Sequence, residues 1–379
     1  MSTGTVAQSR AEEVSEKIDR VRAFLDSNSL SGALFTAQNN VSWITAGMED
    51  LVVRGHDPGF VYTLITRDGA YVLTQNIEGP RLLAEEKVDE LGYELRMYPW
   101  WTEGIDKLIA GLCDTSRLAN DGFGPGRPMP NELQQLRLTL TSGEQQRLRE
   151  LGADCCAVIE QETAGWEPGI TERQLAARIV AGLEERGIFP IVLLVGGDER
   201  RRTFRHPTTS DTPLRHDVLT ILVGVRGGLN VALSRTASAG PTDPTLAERH
   251  HIASQVEAVQ VAASRPGSTW EEALQAGIDA CEAAGYREEW QHHYQGGPIG
   301  YGPREFLPTP RGHRNRFSQA PIVLHQAFSW NPTVQGAKSE DTFIVQNGPA
   351  EPISNSDSWP MVRHETPVGP VLRPGIQEI

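Results

Sequence analysis

The chain has 379 residues, of which 39% are hydrophobic, so it is long enough to bury a sizeable core and to form two domains. Its formal net charge of −14 would repel a phosphate backbone, and no basic stripe offsets it, which argues against a nucleic acid partner. No apolar run is long enough to span a membrane, and residues 1–13 are polar and small. We therefore expect a cytoplasmic protein with no secretory signal and a frayed amino-terminal tail.

The first part of the chain predicts a small α/β domain. Apolar positions in residues 15–28 recur with helical spacing, and Gly32-Ala-Leu-Phe35 predicts a short buried strand. Residues 60–65 and 70–73 flank Arg67-Asp-Gly69, which is typical of a turn, so a β-hairpin is expected there.

A segment rich in glycine and proline, residues 122–130, lies near the end of this part and resembles a linker. We place the domain boundary at residue 137, which gives domains of residues 1–137 and 138–379. The four cysteines (Cys113, Cys155, Cys156 and Cys281) lack metal-binding spacing, and we expect buried, reduced thiols.

The second part predicts long helices alternating with strands. Three capping-box patterns that would open helices begin at Ser142, Thr171 and Ser268. The strand-like runs lie at residues 191–195, 218–225, 322–324 and 342–345.

The stretch from Phe328 to Val345 contains Asn331-Pro332 and then Glu340-Asp341-Thr342. This order resembles the closing strands of the pita-bread superfamily, which includes methionine aminopeptidase, aminopeptidase P, prolidase and creatinase. The predicted helix, the strand at residues 32–35 and the segment at 39–47 resemble the amino-terminal domain of the creatinase and aminopeptidase P branch. The resemblance implies an α+β fold, in which a pita-bread catalytic domain, an antiparallel sheet with outer helices, follows a smaller α/β creatinase-type domain.

The resemblance also assigns five positions to the metal ligands of the superfamily's peptidases. In chain order they are Ile221 or Leu222, Ala232, Gly297, Asn331 and Glu340. Glu340 alone keeps a ligand side chain, and a divalent cation requires several oxygen or nitrogen donors. We therefore expect no metal, no cofactor and an enzyme that is not a metallopeptidase.

The resemblance to creatinase, a member of the superfamily, implies that a C–N bond can be hydrolysed without a metal. In creatinase a histidine acts as the general base. The matching loop, Phe204–Asp211, places that histidine at His206. Imidazole titrates near neutral pH, so it can take a proton from water and return it to a leaving nitrogen. Glu340 is the second catalytic candidate, and its charge would raise the pKa of His206. The alternative for His206 is a solvated surface histidine.

Several polar residues are candidates for substrate binding. Arg304 stands where the metallopeptidases have a second histidine, and its planar guanidinium suits a carboxylate. Arg54 lies in the region from which creatinase sends an arginine across its dimer. The alternative for both is an exposed salt bridge. The further candidates are Ser234, His293, Tyr301 and Asn331. Ser234 replaces a glutamate that helps creatinase to hold a guanidinium group, which argues against creatine as the substrate.

The predicted function is therefore a metal-independent, creatinase-like hydrolase of a C–N bond in an amide, urea or amidine, acting on a small carboxylate-bearing substrate. Three alternatives stay open: a pseudoenzyme that binds a ligand or partner, a lyase that uses the same base, and an Xaa-Pro-type peptidase. The expected partners are the small-molecule substrate and a second copy of the chain in a homodimer, with Arg54 acting in cis or in trans.

Overall fold

The computed structural model describes residues 8–50, 52–313 and 317–379. The α-helices are α1 Arg10–Ser27, α2 Gln38–Ile44, α3 Gly79–Ala84, α4 Gly104–Leu112, α5 Pro130–Gln135, α6 Ser142–Ala164, α7 Glu172–Glu184, α8 Asp198–Thr203, α9 Pro244–Ala263 and α10 Trp270–Ala283. The strands up to residue 238 are β1 Gly32–Phe35, β2 Val61–Thr66, β3 Ala70–Gln75, β4 Glu94–Tyr98, β5 Leu118–Asn120, β6 Arg127–Pro128, β7 Phe189–Gly197, β8 Asp217–Arg226 and β9 Leu229–Ser238. The later strands are β10 Gly296–Ile299, β11 Ala327–Trp330, β12 Thr333–Val334, β13 Ala337–Lys338, β14 Asp341–Ile344, β15 Glu351–Pro352, β16 Met361–His364, β17 Val371–Pro374 and β18 Ile376–Glu378.

The first compact unit contains the described residues up to Gln146 together with Gly227–Leu229. Its sheet has the strand order β4-β3-β2-β1-β5-β6 and mixes antiparallel with parallel pairs. Buried leucines of β1, β2, β3 and β5 pack with Ile109 of α4. The predicted hairpin is confirmed as β2 and β3.

The second compact unit contains residues 147–226 and 230–379 except those that the structure leaves undescribed. Its two four-stranded sheets have the orders β18-β9-β8-β7 and β10-β11-β14-β15. Behind the latter sheet lies an aromatic core in which Phe328 and Phe343 stack at 5.4 Å between ring centroids, with Trp270 at their edge. The mixed architecture confirms the α+β prediction, and the core fixes the two strands, β11 and β14, that frame the site.

The helix starts follow the capping chemistry of the sequence. Thr171 caps α7 through a capping box, as predicted. The other two boxes each lie one residue away from the predicted position. Thr141 pairs with Glu144 at the start of α6, whereas Thr269 pairs with Glu272 at the start of α10. In both cases a threonine hydroxyl supplies the cap in place of the predicted serine.

The amino-terminal tail is shorter than predicted. Ser9 and Glu12 form a capping box, so α1 begins at Arg10 and the prediction of a frayed tail is wrong for residues 10–13. Residues 1–7 of that tail lie outside the described residues.

The predicted strand at residues 322–324 is also wrong. The Ile322 amide donates to the Ser268 carbonyl at 2.7 Å, beside a single bridge between Thr269 and Pro321. Ile322 is buried, as its apolar side chain suggests. One isolated bridge does not make a strand, so the segment has no strand ladder.

Within the described residues, the helices are all too short or too polar to cross a bilayer. Cys155, Cys156 and Cys281 are buried free thiols, and Cys113 is a half-buried one.

A buried ionic network joins three strands and one helix of the second unit. Asp341, which begins β14, accepts hydrogen bonds from Arg235 of β9 at 3.1 Å and from Arg373 of β17 at 2.5 Å. Arg373 also donates twice at 2.8 Å to Glu257 of α9. The side chains of all four residues are completely buried. Because an unpaired buried charge is costly, each of these elements depends on the others.

Replacing Arg373 by methionine should lower the free energy of unfolding by about 3–5 kcal/mol, because it leaves Glu257 buried without its cation. The matched control is Arg363→Met on β16, whose ion pair with Glu365 is exposed. That change should cost less than about 1 kcal/mol. Urea unfolding followed by circular dichroism measures both, and equal losses would contradict the assigned role of the network.

Candidate active site

His206 lies in the loop after α8, and its ring meets that of His293. The two Nε2 atoms are 3.0 Å apart, and the ring centroids are 4.9 Å apart. The loop is held next to this contact, because Arg205 donates to Glu289 at 2.5 Å and to Thr333 at 3.2 Å. Glu289 belongs to the short turn that precedes His293. His206 itself is exposed, whereas His293 is buried.

The contacts of His293 determine which nitrogens of the pair carry protons. Its Nδ1 contacts the carbonyl oxygen of Tyr294, which can only accept a hydrogen bond, so Nδ1 carries the proton. In a neutral His293 the Nε2 atom is then an acceptor, and His206 must donate to it from its own Nε2–H. The Nδ1 atom of neutral His206 is therefore the nitrogen that can accept a proton.

The surroundings keep both rings neutral. Partial desolvation of the His206 ring, on the side that meets His293, and the positive charge of Lys338 lower the pKa of His206 and outweigh Glu340, which acts in the opposite direction. Burial, Lys338 and His206 together lower the pKa of His293 to about 2. Glu340 acts on the pKa of His206 in the predicted direction, but burial and Lys338 make the net shift a lowering.

Glu340 lies just before β14, is 2% exposed and is bound by two cations. Its Oε1 accepts from Arg304 at 2.7 Å, and its Oε2 lies 3.3 Å from Lys338 Nζ. Ser329 Oγ, on β11, is another contact of the carboxylate, 3.4 Å from Oε1. Burial by itself would raise the pKa of Glu340, but Lys338 and Arg304 reverse that effect and hold it below its ordinary value. The carboxylate is therefore ionised.

Asn331 and Ser234 contact Lys338 and Glu340 through backbone groups and have unsatisfied side-chain atoms. The Asn331 carbonyl accepts from Lys338 Nζ at 3.4 Å, and the Ser234 amide donates to the Glu340 carbonyl at 2.9 Å. Asn331 Oδ1 and Ser234 Oγ are buried without a hydrogen-bond partner among the described residues. Such atoms mark a place where a ligand can bond.

The other predicted binding residues have different settings. Arg304 is half-buried and forms a salt bridge with the buried Glu340. The alternative hypothesis, that Arg304 forms an exposed salt bridge, does not describe this contact. Tyr301 is buried just after β10. Arg54 belongs to the first unit, in an exposed loop, and its role in substrate binding stays a prediction, as does the homodimer.

Lys338 is the site residue that the sequence reasoning missed. It ends β13, is 3% exposed and acts on His206, His293 and Glu340. The sequence does set Lys338 apart, because it is the only lysine after Lys107.

The residues present do not fit the metal pair that the resemblance implies. Ile221, Leu222 and Ala232 are buried apolar side chains in strands β8 and β9. Across the described ranges, no cluster of three or more histidine, cysteine or acidic side chains is placed to hold a metal ion. Glu340 already binds two cationic side chains, which would repel a metal.

Gly297, which the resemblance assigns to the metal-binding histidine, lies where a larger side chain does not fit. A Cβ atom there would lie 2.5 Å from Pro308 Cδ and 3.2 Å from the Phe306 carbonyl oxygen. The backbone also has φ +143°, which side-chain-bearing residues rarely adopt. Restoring a histidine at this position would require movement of the segment that contains Pro308.

Comparison with known proteins gives the family. Residues 146–347, more than half of the chain, match the model of metallopeptidase family M24. A probable dipeptidase PepE from Mycobacterium bovis is 27% identical over 231 residues, which cover 59% of this chain and 60% of that protein. The chain thus matches less than two thirds of the length of this relative.

Solved structures agree on the fold. Dipeptidase PepE from Mycobacterium ulcerans superposes with a TM-score of 0.75 at 19% identity, over 98% of this chain and all of that one. The Xaa-Pro dipeptidase from Bacillus anthracis gives a TM-score of 0.72 at 20% identity, over 90% of this chain and 98% of that one. These likenesses confirm the pita-bread fold with its amino-terminal domain.

The comparisons also correct one prediction. We expected an enzyme outside the metallopeptidases, and this is wrong, because the matching family model is that of the M24 metallopeptidases and the similar proteins are named dipeptidases. The prediction of a hydrolase agrees with these names. The chain belongs to metallopeptidase family M24.

Proposed function

We propose that the chain hydrolyses a C–N bond in a small substrate that carries a carboxylate, with His206 as the group that moves the proton. The observation that carries this proposal is the histidine pair, in which buried His293 orients an exposed, neutral His206. Dipeptides, including Xaa-Pro dipeptides, are the substrates to test first, because the similar proteins are named for them.

In the first step, His206 Nδ1 takes a proton from a water molecule as the water oxygen attacks the carbonyl carbon. A C–O bond forms, and the π electrons of the carbonyl group move onto its oxygen. The imidazolium that results keeps its Nε2–H directed at His293 Nε2, so the ring does not have to reorient. Glu340 partly offsets the new positive charge on the ring.

In the second step, the carbonyl bond re-forms and the C–N bond breaks. The imidazolium of His206 returns its proton to the leaving nitrogen, which gives a carboxylic acid and an amine from the amide and one water. One neutral base that becomes an acid serves both steps.

Charge around the pair supports an anionic substrate. Arg304 has five donors in a planar fork, and two contacts, with Glu340 and the Pro303 carbonyl, leave part of that fork for a carboxylate. No step of this proposal passes through a metal ion, because the donors at the family's ligand positions do not fit one.

The variant His206→Asn should reduce turnover of a cleaved dipeptide by about 10²- to 10⁴-fold, the usual contribution of a positioned acid–base group. His206 is exposed, so the melting temperature should stay near that of the parent. The measurement is the initial rate of amine release from Ala-Pro, Gly-Pro and Ala-Ala, with and without added Mn²⁺.

The matched control is His216→Asn, which changes another exposed histidine of the same unit and should leave the rate unchanged. Equal rates for parent and His206→Asn would show that the base lies elsewhere. Tight dipeptide binding without turnover would favour the binding-module alternative, and an unsaturated product would favour the lyase.

The rate should fall as the pH decreases through the pKa of His206, because protonation removes the base. Partial burial and Lys338 place that pKa below the ordinary value of about 6.5, so the acid limb of the rate profile should be centred below pH 6.5. Replacing Glu340 by glutamine removes a charge that raises this pKa, so the acid limb should move to still lower pH. An acid limb centred above pH 7 would contradict the assignment.

A dipeptide with a free carboxylate should be a better substrate than its carboxamide. A charge-assisted hydrogen bond contributes about 1.5–3 kcal/mol, so KM for Ala-Pro amide should exceed that for Ala-Pro by at least about tenfold. Equal KM values would indicate that Arg304 serves only to hold Glu340.

A further inference from the structure

Lys338 Nζ is held loosely, by the carboxylate of Glu340 and by the backbone carbonyl of Asn331. Its two recorded contacts are 3.3 Å to Glu340 Oε2 and 3.4 Å to the Asn331 carbonyl, both longer than the usual 2.7–3.2 Å. An ammonium group has three N–H donors. Within the part of the chain that the structure describes, the third donor has no recorded acceptor.

The local charge is unbalanced in a way that favours an anionic oxygen. Two cations, Lys338 and Arg304, share the single carboxylate of Glu340. The next carboxylate that acts on Lys338, that of Glu257, is already bound by Arg373 through two hydrogen bonds of 2.8 Å. Lys338 therefore has positive charge to offer to a ligand.

Two residues whose backbones contact Lys338 or Glu340 have unsatisfied side-chain atoms. The backbone carbonyl of Asn331 faces Lys338 Nζ, and the backbone amide of Ser234 donates to the backbone carbonyl of Glu340. Asn331 Oδ1 and Ser234 Oγ have no hydrogen-bond partner among the described residues. Both residues are more than nine-tenths buried. The carbonyl group of an amide substrate would give Lys338 an oxygen.

A lysine at this position recognises a different group from the one that an arginine would recognise. The charged bases of the chain are mostly arginine, and Lys338 is the only lysine after Lys107. An ammonium is a compact point charge that suits one oxygen atom, whereas a guanidinium fork suits both oxygens of a carboxylate. Arg304 and Lys338 thus differ in the group that each recognises best.

We propose that Lys338 is a further catalytic residue, whose ammonium group holds the substrate's carbonyl oxygen while that oxygen gains negative charge. In the attack step the π electrons move onto an oxygen that Lys338 already contacts, and in the collapse step they return to the C=O bond. Burial lowers the pKa of Lys338 and the charge of Glu340 opposes that effect. In the proposed steps the lysine acts as an ammonium and transfers no proton. This inference rests on the proposed hydrolysis and adds to it the group that stabilises the oxyanion.

The first test needs no substrate and uses acetate as the oxyanion probe. In protein labelled with ¹³C-lysine, acetate should shift the Cε signal of Lys338, identified by its loss in Lys338→Arg, and leave those of Lys87 and Lys107 unmoved. In Lys87→Met, which removes an exposed lysine, the acetate-induced shift of the Lys338 signal should match that of the parent. An unmoved Lys338 signal would overturn the proposal.

The second test is kinetic and uses the dipeptide that the parent cleaves. Lys338→Met should lower kcat by about 10²- to 10³-fold, the usual effect of losing one oxyanion donor, with a much smaller change in KM. A raised KM with unchanged kcat would overturn the proposal, because it would make Lys338 a ground-state carboxylate binder. If Lys338→Met fails to fold, the acetate titration of the parent still decides.

The two proposals fail separately. If the parent cleaves no dipeptide, the proposed hydrolysis is rejected for this substrate class, and the acetate result alone supports or overturns the role of Lys338. If the parent is active and Lys338→Met is equally active, the hydrolysis stands and the role of Lys338 is rejected.

Discussion

The carboxylate of Asp341, bound by Arg235 and Arg373, is the interaction on which the second unit depends. It ties the start of β14 to β9 and β17, and through Glu257 to α9. None of these charges reaches water, so each is stable only while its partners are present. The strand that emerges from this network is thereby fixed in position, and the residue immediately before it is Glu340.

Glu340 is held in place by its neighbour Asp341, but its own carboxylate is bound by other cations, Arg304 and Lys338. Arg304 binds one of its oxygens and Lys338 lies near the other, and the charge of Lys338 in turn helps to keep His206 and His293 neutral. Where the family places metal ligands, this chain has apolar strands, a glycine packed against Pro308, and a carboxylate held by side-chain cations. The positive charge at this site is therefore that of lysine and arginine.

Local patterns predicted much of the fold, because short-range chemistry determines it. The hairpin of β2 and β3 and the cap at Thr171 follow from turn and capping residues a few positions apart. The contact between His206 and His293 joins residues 87 positions apart, so the sequence offered both histidines as candidates without their pairing. Lys338 was missed because its meaning comes from the β12–β13 hairpin, which brings it back to Asn331. The apolar run at residues 322–324 was read as a strand because burial and strand pairing have the same sequence pattern.

The central claim is that His206 is neutral at neutral pH and presents Nδ1 as the base, because His293 accepts from its Nε2–H. Imidazole ¹⁵N chemical shifts in protein labelled at histidine report protonation and tautomer directly. At pH 7 the account predicts a proton on Nε2 and none on Nδ1 for His206, with the opposite tautomer for His293. A doubly protonated His206, or one that carries its proton on Nδ1, would contradict it.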